Sequence, residues 1–219
     1  MAARPRPAPE PELLRPPQQT RSRESLERVL AAGQQLLEEE GWEGFTVQEV
    51  SRRAKVSIGS IYARAPSKEA LILAVYDRAV EEIARENAEA LTEDGAWEAM
   101  GTRELIVEAV REMGRQMLNH ELILRRIMNR APVDAVIRAR GDAQIRRLGE
   151  RWEELLRRRE SEYRHPEPDL AIEVAFRMVF ATVARRVALG AQFGAPHEVS
   201  DQRLLDEVGR AVAAYLLER

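Results

Sequence analysis

Between residues 20 and 40, Leu26, Val29, Leu30, Gly33 and Leu37 recur at helical spacing; Ser22 is placed to cap the start and Gly41 to stop the run. Two short apolar sets follow: Val47, Val50 and Ala54, then Val56 and Ile61. Pro66 ends the second, because the residue before a proline avoids the helical region. From Ser67 a stripe of Leu71, Val75, Ala79 and Ile83 predicts a long helix to about residue 90, and the segment TEDGAWEAMG over 92–101 reads as a loop. Helical spacing returns over 102–120 (Leu105, Ala109, Met113, Met117), over 121–130 and, in a highly charged stretch, over 134–160 (Ile137, Ile145, Leu148, Trp152, Leu155, Leu156). After a break over 163–168, Asp169 is expected to cap an apolar helix ending at Gly190, and Ser200 to cap the last one. No stretch carries sustained strand alternation between hairpin turns, so the predicted fold is all-α.

The stretch from Phe45 to Leu71 contains three capped helix starts. Thr46 and Glu49 have the spacing of a capping box, with Phe45 and Val50 as its hydrophobic staple. Val56 and Ser57 repeat the staple and cap for a second helix over 57–64, and Ser67 caps the third. Two short helices across a tight turn form a helix-turn-helix, whose second helix enters the major groove of DNA. The face that helix offers is Ile58, Gly59, Ser60, Tyr62, Ala63 and Arg64, small and polar apart from Ile58. Around it Arg52, Arg53, Lys55, Arg64 and Lys68 stand against Glu49 alone, a local balance of +4 that suits phosphate.

The overall charge of -3 argues against nucleic acid until its distribution is considered. Residues 1–68 hold 11 Lys or Arg against 9 Asp or Glu, and the remainder 23 against 28, so the positive end is the end with the motif. The proline-rich segment 1–18 has no periodic apolar face and is expected to be a disordered, solvated tail, its charge diluted by Glu10 and Glu12; the alternative is an arm whose Arg4, Arg6 and Arg15 reach into a groove. With 44% hydrophobic and 32% charged residues, no apolar run of membrane-spanning length and no signal peptide, the chain is expected to be soluble, cytoplasmic and without a membrane partner. The absence of cysteine removes disulfide and thiol chemistry.

Catalytic chemistry finds no constellation. His120, His165 and His197 lack the spacing of helical metal ligands, and there is neither a phosphate-cradling glycine loop nor a nucleophile elbow. No enzyme, cofactor or metal is therefore expected. The last two helices are apolar enough either to cover the chain's own core or to pair with a second copy as a four-helix bundle. Likewise the methionines and aromatics of the C-terminal half read either as plain core or as a cavity lining.

The segment TVQEVSRRAKVSIGSIYARAPSKEAL resembles the DNA-binding domain of the TetR family of bacterial transcriptional regulators, and the likeness extends over residues 22–79. It implies an N-terminal three-helix helix-turn-helix head over 19–80 and a C-terminal helical ligand-binding and dimerisation domain over 81–219. Tyr62 and Lys68 then match the phosphate contacts, and Thr46 and Ser57 the helix caps. The resemblance places a homodimer interface on the last two helices, at Ile172, Phe176, Val179, Phe180, Val183, Val187, Val208, Val212 and Tyr215. It also implies an effector cavity, for which Trp97, Met113, Met117, His120, Met128, Trp152 and Phe176 are the candidates. Three positions depart from the family pattern: Ser51 replaces an alanine, Lys55 the turn glycine and Ala65 an aromatic plug. A lysine in a left-handed turn costs about 1 to 2 kcal/mol, and a missing aromatic about 3 kcal/mol or more unless Trp42 or Phe45 refills the space. The expected function is a ligand-responsive repressor, a homodimer on a palindromic double-stranded DNA operator. The alternatives are an activator, a ligand-independent regulator, or a helical protein-interaction module with a weakened head.

Overall fold

The computed structural model describes residues 20–90, 95–192 and 195–218, all helix, turn or irregular chain with no strand among them. Ten α-helices follow in order: α1 (Thr20–Gly44), α2 (Val47–Ala54), α3 (Ile58–Tyr62), α4 (Lys68–Ala90), α5 (Gly95–Ala99), α6 (Thr102–Asn119), α7 (Glu121–Arg130), α8 (Ala135–Arg157), α9 (Pro168–Leu189) and α10 (Asp201–Leu217). The fold is all-α. Two compact units meet in sequence between Ala79 and Val80, inside α4. The tail expected over 1–18, with Arg4, Arg6 and Arg15, lies outside the described residues.

In the first unit the helical run of α1 breaks at Gly41, the expected stop, whose φ of 73° and ψ of -169° are non-helical and open to glycine at little cost, and a short further turn continues to Gly44. Phe45, buried to 0% exposure, and Val50 seal the entry to α2 beneath Thr46, whose Oγ1 accepts the Glu49 amide at 3.2 Å. At Gly33, α1 passes so close to α4 that an added Cβ would lie 2.5 Å from Val75 Cγ2 and 3.5 Å from the Phe45 ring. Both neighbours are fully enclosed and have nowhere to retreat. Overpacking costs about 1–3 kcal/mol, whereas alanine gains only about 1 kcal/mol of helix propensity over glycine. Gly33→Ala is therefore expected to lower head stability by about 1 kcal/mol, read as an earlier thermal unfolding; unchanged or later unfolding would mean that α1 and α4 separate freely.

The second unit closes around one core of Leu105, Ile106, Met113, Trp152, Val179 and Val212 with their neighbours on α6, α8, α9 and α10. Trp152 donates from Nε1 to the Ile172 carbonyl at 3.3 Å, which satisfies the indole while its ring is buried. Three sequence expectations are corrected here. Residues 95–99 form a short helix within the expected loop. Residues 160–162 leave α8 as a 3-10 turn. And α9 begins at Pro168 behind Glu167, so Asp169 sits in the first turn, paired with Arg157 at 2.7 Å, rather than capping it.

Candidate nucleic-acid interface

The second of the two short helices, α3, owes its shape to its flanks. α2 ends at Lys55, held at φ 53° and ψ 43° in the left-handed region where the family pattern has glycine. The Ser51 hydroxyl, in place of alanine, donates to the Val56 carbonyl at 2.7 Å and bridges the turn. Arg28 on α1 donates to the Ala54 carbonyl at 3.3 Å, answering one of the orphan acceptors at the end of α2. Ser57 then caps α3: its Oγ accepts the Ser60 amide at 3.2 Å and lies 2.8 Å from the Ser60 hydroxyl.

α3 buries Ile61 and turns the rest of its surface outward. Ile58 (38% exposed), Gly59, Ser60 and Tyr62 (45%) face solvent, with Ala63 just past the helix end and Thr46 and Ser57 exposed at the two caps. Nothing lies within 4 Å of a Cβ built on Gly59, so this face can meet another surface closely. Exposed side chains on a capped helix, ringed by small polar ones, leave an outward face rather than a core face.

The charge around it is more divided than a count of residues implies. The Glu49 carboxylate accepts from Arg52 at 2.6 and 2.8 Å and from Arg53 at 2.8 Å, and Arg53 also reaches Glu39 at 2.7 Å. Those bonds, Arg52 first and Arg53 next, draw the Glu49 carboxyl down from 4.5 to about 2, so it stays ionised and holds both guanidiniums at any physiological pH. Lys55 and Lys68 form no ion pair among the described residues. Arg64, expected on the reading face, turns inward instead. It lies beyond the end of α3, where its guanidinium donates to Ser22.

The other expected sites are placed as follows. Trp97, Met113, Met117, Trp152 and Phe176 lie in the continuous apolar core of the second unit, with Met128 packed on its edge. Phe176 stacks on Phe180 at 5.8 Å between ring centroids and faces Trp152 at 6.5 Å. His120 stands apart at the corner of α6 and α7, its Nε2 2.6 Å from the Glu86 carboxylate on α4. A surface groove of about 580 Å³ at the start of α6, bordered by Thr102, Val107, Arg111, Glu162 and Leu217, includes none of these seven residues. Of the expected interface residues, Ile172, Phe176, Val179, Val183, Val187 and Val212 are buried by their own chain, and Phe180, Val208 and Tyr215 are half-buried. The side of α9 that remains outside carries Leu170 (49% exposed), Met178 (39%) and Leu189 (56%).

The family model described as bacterial regulatory proteins, tetR family, matches residues 29–75, the segment that contains both short helices and their turn. The head over these residues is a TetR-family DNA-binding domain. That match supports a DNA-binding transcriptional regulator rather than an enzyme. Solved TetR-like folds extend the likeness beyond the head. A transcriptional regulator from Rhodococcus sp. Rha1 is 18% identical with a TM-score of 0.62, covering 88% of this chain and 96% of its own. A bacterial regulatory protein in the tetR family from Rhodococcus RHA1 is 11% identical at 0.64, covering 89% and 98%. A TetR transcription regulator from Haloarcula marismortui is 15% identical at 0.62, covering 89% and 97%. At such identities the likeness is one of fold. A search of curated proteins finds no match. No described helix is long and apolar enough to cross a membrane.

Proposed function

We propose that this TetR-family regulator is a cytoplasmic repressor that binds a palindromic operator as a homodimer and leaves it when a small molecule binds its C-terminal domain. The observation that carries the reading is the outward face of α3, with Ile58, Gly59, Ser60 and Tyr62 exposed on a helix capped for its pose. Tyr62, Lys68 and the caps at Thr46 and Ser57 supply the backbone-facing contacts that set register, while the small side chains approach base edges. The domain division is a head over 19–80 and an effector and dimer domain over 81–219. Dimerisation draws on the outer side of α9, where Leu170, Met178 and Leu189 stay exposed in the single chain, continued by the half-buried edges of Phe180, Val208 and Tyr215. Release follows by population shift: an effector frees the operator only by its greater affinity for the form that does not fit DNA.

A second reading, regulation without an effector, draws support from the packing of Trp97, Met113, Met117, Trp152 and Phe176 into one core. The test of the main reading is selection of bound duplexes from a random pool at two salt concentrations. The expected result is an enriched palindrome with half-sites one helical turn, about 34–36 Å, apart or a multiple of it. Retention without enrichment at either salt would replace operator reading with a role in protein interaction.

A further inference from the structure

A five-residue helix cannot hold a pose of its own. On its inner side α3 contributes Ile61, and the next buried side chain, Ala65, is a methyl group where the family pattern has an aromatic ring. The space beside Ala65 has mostly closed. The cleft bordered by Leu26, Val29, Ile61, Arg64, Ala65 and Leu71 has a volume of about 10 Å³, and neither Trp42 nor Phe45 lines it. What crosses from the end of α3 to α1 is Arg64. Its Nη1 donates to the Ser22 carbonyl at 2.6 Å and its Nη2 to the Ser22 hydroxyl.

We propose that Arg64 is a positioning residue for DNA reading: it anchors the C-terminal end of the recognition helix to the first turn of α1 through a forked bond to Ser22. This rests on the reading of α3 as the DNA-contacting helix. The two ends of α3 are then set by polar bonds, Arg64 to Ser22 at one and the Ser51 bridge to Val56 at the other. The planar fork is what the position requires. Two parallel N–H donors fix direction as well as distance, and a lysine ammonium keeps the charge without that geometry. The same bonds commit the guanidinium to protein acceptors, so Arg64 contributes to specificity through the angle of α3 rather than through phosphate.

The test compares wild type, Arg64→Lys, Arg64→Met and Ser22→Ala on a selected operator and on random duplex, each across a salt series. Arg64→Lys is expected to bind the operator about tenfold more weakly, the loss of a charge-assisted fork, with its random-duplex affinity and salt slope at wild-type values. Arg64→Met should lose as much on the operator. Ser22→Ala, which removes one of the two acceptors, should lose less, and combined with Arg64→Lys should add nothing. Operator binding by Arg64→Lys at wild-type strength, with a salt slope reduced by about one in Arg64→Met, would make Arg64 a phosphate contact and overturn the proposal. Additive losses in the double variant would overturn it too. Thermal unfolding separates a misplaced helix from an unfolded head, and Arg64→Lys and Ser22→Ala carry the test if Arg64→Met does not fold. A wild type that retains no duplex at low salt sinks the DNA-binding reading itself, whereas binding that is indifferent to Arg64→Lys sinks only the anchor.

Discussion

Gly59→Glu is expected to abolish operator binding, a loss of more than about a hundredfold, while leaving the fold intact. A Cβ at position 59 meets nothing within 4 Å, and the residue is exposed on α3, so the new side chain costs no packing. Glutamate also favours helix over glycine by roughly 0.5–1 kcal/mol, so thermal unfolding should stay or rise slightly. Against DNA the same carboxylate meets a dense array of phosphates, and like-charge juxtaposition across an interface costs several kcal/mol, or about two or more decades in affinity. Gly59→Gln has the same length without the charge. It should fall between wild type and Gly59→Glu, and the interval between the two variants measures the electrostatic part. If Gly59→Glu bound the operator at near wild-type strength, the outward face of α3 would not be the reading face.

Much of the geometry of α2 and α3 was legible in the sequence because its determinants are local. The caps at Thr46, Ser57 and Ser67 are spaced along the chain as they act in space, each bonding an amide three residues on. The left-handed turn at Lys55 was legible for the same reason, from the family's glycine. Arg64 was not. Its partner is 42 residues away on α1, and a basic residue at the end of a recognition helix looks like a phosphate contact until the fold brings Ser22 beside it. The count of +4 around the motif stands as a sum but does not show the pairing: Glu49 is held ionised between Arg52 and Arg53, and Arg53 also reaches Glu39.

In the second unit the spacing of apolar residues located the helices but not which side of each one faces inward. α9 is apolar on most of its circumference, so Val179 and Val187 were as eligible for an interface as Met178 and Leu189. Packing against α6, α8 and α10 decides it, and that information is long-range. The methionine and aromatic candidates for an effector cavity met the same limit. Helical spacing puts Met113 and Met117 on one inner face of α6, and only the neighbouring helices determine whether that face meets a space or other side chains.

A buried ionic cluster in this unit leaves no mark in the spacing, and it sets the second large expectation. Arg186, 8% exposed near the end of α9, donates from Nε and Nη2 to Asp201 at 2.7 and 2.9 Å and from Nη1 to Glu121 at 3.1 Å. Asp201 opens α10 and Glu121 opens α7, so one guanidinium ties three helix ends. Arg125 joins the cluster through Glu121 and donates to the Val187 carbonyl at 2.8 Å. Removing one partner of a buried pair costs about 3–5 kcal/mol when the other is left stranded in a dry interior. Here the stranding is partial. The Asp201 side chain is 39% exposed at a helix N-terminus, where a carboxylate is favoured, and Glu121 keeps Arg125. Arg186→Ala is therefore expected to cost about 3 kcal/mol, the low end of that range, read as a fall in the urea midpoint with an unchanged slope. Arg186→Met keeps the buried stem and should recover part of it. A loss below about 1 kcal/mol, the level of an exposed pair, would mean that the three helix ends are held by the apolar core alone.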